Sequence, residues 1–168
     1  MDEQQTTQPA PGPDADNVVA PLTPDEAQAV PTPAETEPVL AESTAHPKKI
    51  LLVEDDDALA SVYQVRLQAE GFDLRRVPNG EEALAAAIEY KPDLILLDVM
   101  MPKVSGFDVL DILRNTPQTL NVKVIMLTAL SQDSDKERAM SLGVDDYLVK
   151  SQVVIADVVD RIKSALNV

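Results

Sequence analysis

The chain has 168 residues, a formal net charge of -15, no cysteine, no tryptophan and five aromatic side chains. That length allows one ordinary domain with a true core. The missing thiols exclude disulfides and thiolate metal sites, and the acidity argues against nucleic acid or an anionic membrane as the main partner.

Charge and composition divide the sequence. Residues 1–47 hold nine acids, nine of the thirteen prolines and neither Lys nor Arg. Without a sustained period of 3.6 or 2, this stretch is expected to be a disordered, solubilising tail with a reach of about 40 Å. Its opening, MDEQQTTQPAPG, has no basic n-region and no apolar h-region, so a signal peptide is not expected. No window approaches membrane-spanning length, and the absence of cysteine suits a cytoplasmic location. A folded domain is expected over residues 48–168.

Ile50–Val53 is a continuous apolar run, the pattern of a strand covered on both faces. Four acids follow at once, Glu54, Asp55, Asp56 and Asp57. Ala58, Val62, Val65 and Ala69 then recur at helical spacing, with Asp56 or Asp57 placed to cap the helix and Gly71 to stop it. Phe72–Val77 reads as a more polar edge strand. Asn79 and Glu82 resemble a capping box, and Leu84, Ala87 and Ile88 form the stripe of a second helix that ends before Pro92. Leu94–Asp98 is another buried run ending in an acid. Phe107, Leu110 and Leu113 mark a helix, Val122–Ala129 a strand with a hydroxyl near its end, and Ser131 to Leu142 a polar helix closed by Gly143. Tyr147–Lys150 is a last strand ending in a cation, with Asp145 and Asp146 solvating the loop before it. Ile155, Val158, Val159, Ile162 and Leu166 form the final stripe, with Ser151 as a candidate cap.

Five strands alternating with five helices predict an α/β fold, a doubly wound parallel sheet with helices on both faces. Such sheets bind ligands beyond the carboxyl ends of their strands. Those ends carry Glu54, Asp55, Asp98, Thr128 and Lys150, none of which a core requires. Oxygen ligands without Cys or His select a hard ion such as Mg²⁺. A carboxylate can attack phosphorus to form an acyl phosphate, while metal, ammonium and hydroxyl hold the phosphoryl oxygens.

The segments ILLVEDD, DLILLDVMMPKVSGFDVL, VIMLTA and GVDDYLVK, in this order, resemble the receiver domain of two-component response regulators. The resemblance implies a flavodoxin-like strand order 2-1-3-4-5. It makes Asp98 the phosphoacceptor, with Mg²⁺ held by Asp55, Asp98, the Met100 backbone carbonyl and, mainly through water, Glu54. Thr128 and Lys150 would contact the phosphoryl group, and Tyr147 with Thr128 would form the switch. Pro102 and Gly106 match the loop after the phosphoacceptor. The implied donor is a histidine kinase or phosphotransfer protein, and the implied output is a protein target on the face of helix 4, strand 5 and helix 5. The expected function is phosphorelay signal transduction by a single-domain, cytoplasmic phosphoprotein. It is a switch that supports its own phosphorylation and dephosphorylation and not an enzyme in the ordinary sense. No nucleic-acid or membrane partner is expected.

Two departures from the family pattern stand out. Ser151 replaces the usual proline after the lysine, which leaves the aim of Lys150 open. The positions two beyond Asp98 and Thr128 are the apolar Met100 and Leu130, neither able to orient an attacking water, so a long-lived phosphoryl group is expected. A degenerate receiver that binds partners without phosphorylation is the alternative. A flavin carrier would need a Gly/Ser/Thr-rich loop where four acids stand, and a dehalogenase-like hydrolase would need Asp-x-Asp where Asp98-Val99-Met100 is found.

Overall fold

The computed structural model describes residues 46–168. All but the last two residues of the expected acidic tail lie outside the described residues. The elements alternate as β1 (Lys49–Val53), α1 (Asp57–Ala69), β2 (Asp73–Val77), α2 (Gly80–Tyr90), β3 (Leu94–Leu97), α3 (Gly106–Asn115), β4 (Lys123–Thr128), α4 (Asp133–Ser141), β5 (Asp146–Val149) and α5 (Ile155–Leu166). The strands form one parallel sheet in the order β2-β1-β3-β4-β5. Both expectations, the doubly wound sheet and the 2-1-3-4-5 order, are met, and the polar β2 lies at an edge.

The two-residue period of the strands sorts the core into two layers. Leu51, Val53, Ile95, Leu97, Val124 and Met126 face α2, α3 and α4, where Ala83, Phe107, Leu110, Leu113 and Ala139 meet them. Ile50, Leu52, Leu94, Leu96, Ile125 and Leu127 face α1 and α5, which supply Tyr63, Leu67, Val158, Val159 and Ile162. Each fully buried Leu or Ile contributes about 1.5–3 kcal/mol relative to exposure, so the three central strands anchor the domain.

Several local expectations need correction. The stripe Ala58, Val62, Val65 and Ala69 faces outward; Val62 and Val65 are 55% and 70% exposed. The helix instead buries Ala60, Tyr63 and Leu67. This second stripe, also at spacings of three and four, carries more apolar area, so burying it wins. In α2 the buried face is Gly80, Ala83, Ala86 and Ala87, with Ile88 exposed. Small residues let that helix sit close: a Cβ on Gly80 would lie 2.7 Å from Val109 Cγ2. The α5 N-cap is Val154, not Ser151, and the Val154 N–H donates to Asp157 Oδ2 at 2.9 Å. Strand β5 ends at Val149, one residue before Lys150. Asp145 does not merely solvate a loop: it accepts from Lys123 at 2.8 Å, Arg114 at 3.0 Å and the Val124 N–H at 2.9 Å.

Other local features follow the sequence. Asp56 caps α1 through the Leu59 N–H at 2.8 Å, and Asn79 caps α2 through the Glu82 N–H at 2.9 Å. Gly71 and Gly143 follow α1 and α4 at φ +87° and +84°, a conformation that favours glycine.

Candidate functional site

The site is built at the carboxyl edge of the sheet because β1 and β3, adjacent and parallel, end side by side. Their register pairs Val53 with Leu97, and the next residues are Glu54 and Asp98. The Asp98 N–H donates to the Val53 carbonyl at 3.0 Å, extending the ladder by one step. Glu54 and Asp98 are 2% and 5% exposed, whereas Asp55 is open to solvent. Ligand oxygens of Glu54, Asp55 and Asp98 lie within 4.8 Å of one another.

From the far side, β5 delivers a cation. The Lys150 N–H donates to the Thr128 carbonyl at 2.8 Å, and the chain turns at once, with the Gln152 N–H donating to the Val149 carbonyl at 2.8 Å. Despite Ser151 in place of proline, the Lys150 ammonium donates to Asp98 Oδ2 at 2.6 Å and Glu54 Oε2 at 2.8 Å. Burial pushes the Glu54 carboxyl up from its ordinary value, with Lys150 pulling it back only in part. Burial works against the Lys150 charge too, but its hydrogen bonds to Asp98 and Glu54 outweigh that and raise its pKa. One ammonium among three carboxylates leaves a negative pocket, the condition that favours a hard divalent cation.

Thr128 is fully buried, and its Oγ accepts from the Leu130 N–H at 3.3 Å. Tyr147 is also buried, and its hydroxyl donates to the Leu130 carbonyl at 3.1 Å. One loop residue thus links the strand-end hydroxyl to the aromatic side chain. Met100 donates its N–H to Asp98 Oδ1 at 3.0 Å, so the loop after β3 folds back over the acid. Gly106 permits this: a Cβ there would stand 2.2 Å from the Asp98 carbonyl oxygen.

The sequence-predicted residues Glu54, Asp55, Asp98, Met100 and Lys150 therefore meet at one place, with Thr128 and Tyr147 joined through Leu130 beside it. Asp56 and Asp57 stay out of the cluster, as their helix position suggests. Periodicity gives no hint of Arg76. Its side chain reaches from β2 to the Glu54 and Asp55 carbonyls; the available signal is an arginine one residue before the end of the strand beside the acidic run. A separate concavity of about 290 Å³ lies between α4 and β5, lined in part by Gln132, Lys136, Tyr147 and Gln152.

The parallel 2-1-3-4-5 sheet, with three carboxylates and a lysine gathered at its carboxyl edge, places the chain in the doubly wound α/β class. Comparison with known proteins gives the family. Residues 50–163 match the response regulator receiver domain, and the chain belongs to that family, whose place is in two-component signalling. It is 34% identical over 121 residues to the polar-differentiation response regulator DivK of Brucella anthropi, covering 72% of this chain and 98% of that protein. It is 41% identical over 102 residues to the DNA-binding dual master transcriptional regulator RpaA of Synechocystis, covering 61% of this chain but 42% of that protein. The chain thus spans less than half the length of RpaA and of several similar regulators. Among solved structures, a CheY-like response regulator receiver domain protein from Methanospirillum hungatei superposes with a TM-score of 0.67 at 26% identity, covering 72% of this chain and 94% of that one. Among the described residues no helix is long and apolar enough to cross a membrane.

Proposed function

We propose that Asp98 accepts a phosphoryl group from a phosphohistidine on a histidine kinase or phosphotransfer protein. An Asp98 carboxylate oxygen attacks phosphorus, the new O–P bond forms as the P–N bond to histidine breaks, and the ring nitrogen departs with the bonding electrons. The carrying observation is that Lys150 bridges Asp98 and Glu54 while Asp55 completes the carboxylate triad. The donor set, all oxygen, fits Mg²⁺, which Asp55, Asp98 and the Met100 carbonyl would hold directly and Glu54 mainly through water; such an ion would supply charge neutralisation for the carboxylates and the incoming phosphoryl oxygens. Lys150 neutralises one phosphoryl oxygen, and the Thr128 hydroxyl, released from the Leu130 N–H, donates to another. That release changes the loop that also accepts from Tyr147, which couples the site to the α4-β5-α5 face and to the concavity beside it. A protein target docks on that face.

Beryllofluoride with Mg²⁺ tests this. The full chain should show amide chemical-shift changes around Thr128, Tyr147 and α4, and Asp98→Asn should show none. Equal responses from both proteins would leave the unphosphorylated interaction module as the reading. Met100 is 56% exposed and apolar, and Leu130 packs against the core, so neither orients water at the acyl phosphate. The phosphoryl group should persist for minutes or longer in purified protein with Mg²⁺; loss within seconds, followed by radiolabel, would refute the apolar-shield argument.

A further inference from the structure

The four consecutive acids each have a separate fate. Glu54 is taken by Lys150, Asp55 joins the triad, Asp56 caps α1, and Asp57 pairs with Arg76 at 2.5 Å. The guanidinium does more than pair. Its Nε and Nη2 donate to the Glu54 carbonyl at 3.1 and 2.9 Å, and Nη2 also donates to the Asp55 carbonyl at 3.3 Å. Arg76 sits opposite Leu52 in the β1–β2 register, and the ladder continues with the Glu54 N–H donating to Val77. The planar fork therefore holds both peptide units from which the acids of the pocket project.

We propose that Arg76 is a positioning residue for divalent cation binding: its bonds to the Glu54 and Asp55 carbonyls fix the backbone so that the Asp55 carboxylate stays within the triad. This inference rests on the cation site proposed above. The side chains differ in how they are held. Glu54 is buried and bound to Lys150, but Asp55 is exposed and its carboxylate has no hydrogen-bond donor among the described residues. Only its backbone restrains it. A freed loop would also let Asp57, itself 88% exposed at the side chain, swing without restraint beside the pocket. Charge and positioning predict opposite signs. A cation near the pocket repels Mg²⁺, so losing its charge alone would tighten binding. Losing the clamp weakens it, because the groups that orient metal ligands set affinity. Lysine keeps the charge without the fork.

Calorimetric titration of the full chain with Mg²⁺ alone decides between them. Arg76→Gln and Arg76→Lys should both bind about tenfold more weakly than wild type. Asp57→Asn should stay within about threefold, because an exposed ion pair contributes little. Arg76→Gln binding as tightly as wild type, or more so, overturns the proposal. So does Arg76→Lys at wild-type affinity, since the guanidinium fork is then not needed. Circular dichroism establishes that each variant is folded; if Arg76→Gln is not, Arg76→Lys carries the test, and if neither folds the residue is structural and the proposal fails. Asp55→Asn separates the two levels. If wild type binds no Mg²⁺, or Asp55→Asn binds it equally well, the cation site itself is wrong. If those two behave as expected and the Arg76 variants match wild type, only the clamp is wrong.

Discussion

Glu54 sits where charge is costly, and the pH dependence of stability should show it. Burial raises its folded-state pKa above the unfolded value. The folded chain therefore binds a proton more readily than the unfolded chain, and stability falls as pH rises from the ordinary carboxylate range through the folded pKa. Glu54→Gln mimics the protonated form at every pH. In metal-free buffer, urea denaturation should find Glu54→Gln more stable than wild type at pH 7, with the gain shrinking toward pH 4. A gain that is constant with pH would show that charge at this position is not the cause. Gly106 makes the opposite point. A methyl group there would collide with the Asp98 carbonyl, the Val99 Cα and the Asp98 carbonyl carbon, all backbone atoms that cannot rotate away. Gly106→Ala should cost at least about 2 kcal/mol, measured by chemical denaturation, and should displace the loop that carries Met100.

At the scale of elements, the strands were the most legible part of the sequence. Ile50–Val53 and Leu94–Asp98 read as buried runs because both faces of a parallel sheet are covered, and Val122–Ala129 reads as a strand; the structure places β1, β3 and β4 there, with β3 ending at Leu97 and β4 spanning Lys123–Thr128. The site followed from the same rule, since strand ends carry its residues. Helix faces were harder. Helix α1 offers two stripes at the same spacing, and only contact with Ile50 and Leu52 decides which one turns inward. The choice can be measured: Leu67→Ala should cost about 2–5 kcal/mol, whereas Val65→Ala, on the outer face, should fall within about 0.5 kcal/mol of wild type. Equal costs would mean the helix is rotated. Ser151 misled as a cap because its hydroxyl suits an N-cap, but the turn closed by Val149 and Gln152 moves the helix start to Val154. Arg76 was invisible because its partners are backbone carbonyls, which have no signature in sequence.

At the scale of the domain formed by the described residues, the acid cluster occupies the carboxyl rim of the sheet and a second set of side-chain bonds fastens the opposite rim. On the amino-end side, Asp93 accepts from Lys48 and the Lys49 N–H, and Arg114 binds the Gly143, Leu120 and Val122 carbonyls together with Asp145. These bonds tie loops to the sheet at the opposite ends of the strands from the carboxyl-edge acids. Ser105 caps α3 through the Asp108 N–H at 3.3 Å and also donates to Asp108 at 2.8 Å, fixing the helix behind the loop that follows Asp98.

The ammonium and the acid it holds in the pocket are separated by 96 residues of chain. Until β5 docks against β4, a growing polypeptide exposes its acidic cluster with no lysine to answer it, and the pocket exists only once the last strand has joined the sheet. If Asp98 is the acceptor proposed above, competence would come only with β5, and a ribosome-bound chain that has not yet released Lys150 should be a poor acceptor however well its first three strands have formed.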